Sequence, residues 1–136
     1  PKVRPGGFSV NMPEEGLCSL KVLIFEDNLM WSVKLKKAAQ ALGHEVQVFE
    51  RIPDQIPQAH AAIVNLGSDT LGVDSLLPLL KRQSIWTVGH AGHKEKALLE
   101  AGREAGCDLI ASNSTLTFKL DQVLAQAPGQ AGPDTI

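Results

Sequence analysis

Lys21-Val22-Leu23-Ile24-Phe25-Glu26-Asp27-Asn28 is the stretch that decides the fold. Lys21 to Phe25 is a short, nearly continuous apolar run rich in β-branched and aromatic side chains, the pattern of a strand buried on both faces of a parallel sheet. The run ends abruptly in two carboxylates and an amide. Trp31, Leu35, Ala38, Ala39 and Leu42 follow at helical spacing, which predicts one apolar stripe and a buried Trp31. Asp27 or Asn28 can cap that helix at its start, and Gly43 can end it.

Working outward, strand and helix patterns alternate. Glu45–Phe49 reads as a second strand, Ala61–Leu66 as a third, Ser84–Val88 as a fourth and Asp108–Ala111 as a fifth. The stretch Glu50–His60 contains Pro53 and Pro57 and can hold at most a short helix. Val73, Leu76, Leu77 and Leu80 predict a helix that Pro78 distorts. His93–Ala105 is the next helix, with Ala97, Leu98 and Ala101 inward. Thr115–Ala127 is the last, with Phe118, Leu120, Val123 and Leu124 as apolar candidates. This alternation predicts an α/β fold, a doubly wound five-stranded parallel sheet with helices on both faces. The chemistry of such folds sits outside the carboxyl ends of the strands.

Pro1, Pro5, Gly6, Gly7, Pro13 and Gly16 punctuate the beginning of the chain, and Pro128, Gly129, Gly132 and Pro133 its end. The expected organisation is a flexible segment over 1–20, with Met12 a candidate start inside it, one folded domain over 21–127, and a flexible tail over 128–136. With 136 residues in all, one core is the comfortable number. Thirteen basic against fifteen acidic residues leave a net charge of −2, which argues against a general electrostatic grip on nucleic acid or an anionic membrane. With no Tyr, 4 Phe and 2 Trp, a stacking platform for single strands is not expected either. Cys18 and Cys107 are too few for a disulfide framework. The opening residues lack the basic flank and apolar centre of a secretory leader, and no apolar run is long enough to span a bilayer. A cytoplasmic location without membrane association is expected.

The strand-end residues carry a resemblance. Val22-Leu23-Ile24-Phe25-Glu26-Asp27-Asn28, the helix closed by Ala41-Leu42-Gly43-His44, and Ala101-Gly102-Arg103-Glu104-Ala105-Gly106-Cys107-Asp108 resemble the receiver domain of bacterial response regulators, the phosphoacceptors of two-component signal transduction. The resemblance implies the flavodoxin-like strand order 2-1-3-4-5. It also implies a phosphoryl-transfer site. Such a site has an acidic pair and an aspartate nucleophile around Mg²⁺, with a hydroxyl and a lysine on the phosphoryl oxygens. Carried over by position, the acidic pair is Glu26 and Asp27, the nucleophile is replaced by Asn65, the hydroxyl by Gly89, the lysine by Asn113, and the aromatic switch residue by Ile110. An amide cannot form an acyl phosphate by carboxylate attack.

The resemblance is therefore to an atypical pseudo-receiver with a degenerate phosphorylation pocket, Glu26, Asp27, Asn65, Gly89 and Asn113. No catalytic residue, metal or cofactor is expected. The expected function is phosphorylation-independent regulation through protein partners, the sequence naming none. By analogy the docking face is the fourth helix, fifth strand and fifth helix. The alternative is a small-ligand or anion sensor using the remodelled pocket. An intact phosphoacceptor at Asp69 or Asp74 fits least, because both lie past the strand end.

Other features have plain readings. The Glu26/Asp27 pair is helix N-terminal charge before it is an ion site, and Asn65 is a hydrogen-bonding strut. His90 and His93 read as surface loop histidines, with Gly89 and Gly92 in a strand-to-helix turn. Lys34-Leu35-Lys36-Lys37 is a solvated basic face, Trp86 packs under a helix, and Cys107 is a small buried hydrophobe.

Overall fold

The computed structural model describes residues 19–68 and 71–127. The expected flexible segments lie outside these residues, apart from Ser19 and Leu20, as do Met12, Cys18 and Asp69. Strands β1 (Lys21–Phe25), β2 (Glu45–Phe49), β3 (Ala61–Asn65), β4 (Trp86–Ala91) and β5 (Leu109–Ser112) form one sheet in the order β2-β1-β3-β4-β5. Every pairing is parallel. Helices α1 (Leu29–Ala41), α2 (Val73–Arg82), α3 (Lys96–Glu104), α4 (Asn113–Phe118) and α5 (Leu120–Leu124) connect and flank them.

The sheet divides two cores, and side-chain alternation along β1 shows the division. Val22 and Ile24 face one layer with Leu35 and Ala39 of α1, Leu116 of α4, and Leu120, Val123 and Leu124 of α5. Leu23 and Phe25 face the other, with Leu76, Leu77 and Leu80 of α2. Burial on both faces is what the continuous apolar run requires. The connection from β2 to β3 contains no helix, as Pro53 and Pro57 dictate, and Ile56 seals it against the second core.

Several expectations are corrected. Trp31 is half-buried, because the stripe that α1 turns inward is Ser32, Leu35 and Ala39. α2 continues through Pro78, which faces solvent. On α3 the buried position is Gly102, while Ala97 and Ala101 are exposed. A Cβ on Gly102 would come within 2.6 Å of Leu66 Cδ1, so that helix packs by close approach. The last helix is two pieces, turned at Lys119, where φ is −130° and ψ 33°. The turn lets Leu116 and Leu120 both reach the core and leaves Phe118 82% exposed. Finally, β4 runs to Ala91, because His90 and Ala91 go on pairing with Asn65 and Ser112.

Two histidines tie the sheet's entry points. Leu20 N–H donates to His44 Nδ1 at 3.0 Å, and Lys21 N–H to His60 Nδ1 at 2.9 Å. Burial lowers the His44 pKa from its ordinary value of 6.5. A lowered histidine means that the unfolded chain takes up the proton first. The stability His44 contributes is therefore whole above 6.5, falls as pH drops through that value, and stops falling below the folded value. Urea midpoints measured from neutral to mildly acid pH should decline, and His44→Gln should flatten that decline. An unchanged slope in the variant would contradict this role.

Candidate functional site

The carboxyl ends of β1, β3 and β4 and the start of α4 converge on Glu26. Its side chain is 0% exposed, directly after the last residue of β1. Oε2 accepts a hydrogen bond from Asn65 Nδ2 at 2.6 Å and one from the Asn28 N–H at 3.1 Å. Oε1 lies 3.3 Å from His90 Nε2, and His90 is 2% exposed. That contact is within ion-pair reach but poorly aligned, and neither atom has a hydrogen-bond partner among the described residues. On its far side, His90 Nδ1 lies 2.7 Å from Asn113 Oδ1. The result is one polar chain, Asn65–Glu26–His90–Asn113, running across the strand ends.

Asn113 Oδ1 only accepts, so the His90 ring nitrogen that faces it is the donor of that contact.

Of the sequence-derived set, Glu26, Asn65 and Asn113 belong to this polar chain. Asp27 is half-buried and accepts from Ser68 Oγ at 2.6 Å, while Asn28 Oδ1 caps α1 through Trp31 N–H at 3.1 Å. Gly89 faces away: a Cβ there would meet Cys107 Sγ at 2.8 Å and Leu66 Cδ1 at 3.0 Å. Glycine is required at that point by close packing under α3, and a hydroxyl-bearing side chain would point there too. His90 fills the position on the site's side of β4, register partner to Asn65. The reading of His90 as a surface loop residue is therefore wrong. Gly89 and His90 read as a turn in the sequence, and only the pairing of β4 with β3 and β5 shows that the strand continues through them. Ser68 was missed as well; nothing local in the sequence marks it.

Chemically, the arrangement is closed. The Asn65 side chain is a carboxamide, with no carboxylate to act as a nucleophile. Among the described residues no cluster of three or more His, Cys, Asp or Glu side chains could hold a metal ion. Cys107 stands beside Gly89 but is no nucleophile either. Burial first, and Asp108 second, push its thiol up to about 11 against the opposing pull of Lys81.

Comparison with known proteins supports this architecture by shape alone. No protein-family model matches the chain, and no curated protein matches it. Among solved structures, the chemotaxis response regulator CheY4 of Vibrio cholerae is similar, with a TM-score of 0.63 and 15% identity over 78% of this chain and 99% of that one. A response regulator from Burkholderia pseudomallei, solved with a phosphorylated aspartic acid, a calcium ion and citrate, gives 0.65 and 16% over 82% and 68%. NtrX from Brucella abortus gives 0.68 and 16% over 81% of this chain but 27% of its own. The fold is that of the receiver domains of response regulators, flavodoxin-like with strand order 2-1-3-4-5. No described helix is long and apolar enough to cross a membrane.

The buried pair makes a direct prediction. His90→Leu leaves Glu26 without its counter-group and should cost about 3–5 kcal/mol in urea denaturation, whereas adding Glu26→Leu should recover only part of that loss, because the Asn65 amide and the Asn28 N–H then lose their acceptor. A loss in the single variant below about 1 kcal/mol, the scale of an exposed pair, would contradict the buried contact.

Proposed function

We propose that this domain is a phosphorylation-independent signalling or regulatory module that works by binding protein partners on a receiver-like fold. The observation that carries the reading is the 2.6 Å hydrogen bond from Asn65 Nδ2 to Glu26 Oε2. In a phosphoacceptor site these two positions would both be carboxylates, drawn together by a divalent cation. Here an amide donor does the cation's work. His90, seated on Glu26 and Asn113, takes up the room beside it.

Without phosphoryl chemistry, the surface is what remains to act. Among the described residues, two elements leave large apolar side chains in water: Phe118, on the expected face of fourth helix, fifth strand and fifth helix, is 82% exposed, and Leu29 and Met30 on the first turn of α1 are 71% and 74% exposed. Exposed side chains of this size favour a partner. α1 also carries Lys34, Lys36 and Lys37 and no acidic residue, so its exposed side favours acidic surfaces.

Acetyl phosphate with Mg²⁺ should leave the intact protein without a phosphoryl adduct by mass spectrometry; an adduct mapped to the strand ends would overturn the reading. The conversion Asn65→Asp tests the cation argument. It sets two carboxylates against each other where a donor stood, so the variant should melt lower than wild type without metal. Mg²⁺ should raise its melting point by mass action and leave that of wild type unchanged. Equal Mg²⁺ responses in the two proteins would contradict the argument.

A further inference from the structure

The strand-end pocket itself is filled, but an open one lies beside it. Between α1 and the start of α4 is a cavity of ≈ 280 Å³ lined by Trp31, Lys34, His93, Asn113, Ser114 and Phe118, among others. Trp31 and Phe118 supply aromatic surface. The Lys34 ammonium lies over the Trp31 ring, 5.4 Å from its centroid, so the cation sits beside that surface. Among the described residues no Asp or Glu lines the cavity. Aromatic walls, one fixed cation, amide and hydroxyl groups at one end and no carboxylate define a complement: a flat apolar body bearing a negative group. The volume suits one or two fused rings rather than a folded chain segment.

Asn113 belongs to two sites at once. Its Oδ1 bonds His90 Nδ1 at 2.7 Å, its Nδ2 makes no hydrogen bond among the described residues, and the residue lines the cavity. A carboxylate in the cavity can take that free donor. The same side chain then joins the ligand to the buried Glu26–His90 pair.

We propose that this cavity binds a planar aromatic carboxylate and that Asn113 passes its occupancy to the strand ends. The inference rests on the phosphorylation-independent reading only in assigning Asn113 to that relay, and the two are tested by separate measurements. The sensor expected of the filled pocket is here placed one side chain further out.

The test uses the isotope-labelled full chain, titrated with naphthoate, naphthylmethanol and naphthylmethylammonium and followed by nuclear magnetic resonance. Naphthoate should shift the Trp31 indole N–H and the Asn113 side-chain amide saturably, and should move the His90 ring signals in step. The ammonium analogue should bind at least about tenfold more weakly, one full step of charge discrimination. Lys34→Glu should invert that order. Phe118→Ser, at a site already in solvent, should fold normally and weaken naphthoate. The proposal is overturned by equal binding of the three probes, by shifts that bypass Trp31 and Asn113, by a still His90 ring, or by no saturable shift. Acetyl-phosphate labelling of a protein that still binds naphthoate would sink the functional reading and leave this one standing.

Discussion

A carboxylate with no exposure to water must find its partners inside the protein, and Glu26 imposes that demand on everything around it. Ionised and alone in the interior, such a group would cost several kcal/mol. The Asn65 amide, the Asn28 N–H and the His90 ring answer the demand from three different segments. Their positions fix the ends of β1, β3 and β4 against one another. Asn113 then holds the outer face of His90, so the start of α4 joins the same constraint. A site organised in this way has spent its polar groups on each other.

The frame of the fold was legible because it rests on burial. Ala61 to Val64 and Val22 to Phe25 are apolar without interruption, and only the centre of a parallel sheet buries both faces of such strands. Pro53 and Pro57 limited the stretch after β2 to a short helix at most, and the structure has none there. What the pattern could not give was the extent of pairing at strand ends. β4 runs on to Ala91 because β3 and β5 lie on both sides of it and its backbone groups need those partners. Glycine and histidine look like a turn until those neighbours are in place. The same misreading hid His90, the group that closes the site.

Asn65 and Asn113 were singled out by the resemblance to receiver domains, which did not give their contacts. The sequence shows only that Asn65 is an amide; the 2.6 Å contact to Glu26 shows what that amide does, a donor to a buried carboxylate. Trp31 and Phe118 show the opposite error. Both fit an apolar stripe, but the inward face of α1 passes through Ser32, and the turn at Lys119 points Phe118 outward. Those departures leave aromatic surface beside Asn113, next to a site that is otherwise sealed.

The central claim is that the amide of Asn65 stands in for a cation at Glu26. The most direct measurement is the nuclear magnetic resonance signal of the Asn65 side-chain amide while Mg²⁺, then beryllofluoride, is added to the wild-type chain. The account predicts a downfield, slowly exchanging Nδ2 proton, bonded to Glu26, that neither addition moves. A saturable shift or loss of that proton, with matching changes at the backbone amides of Asn28, which donates to Glu26, and Gly67, which donates to Asn65 Oδ1 at 2.9 Å, would mean that the site opens to a cation, and the account would fail.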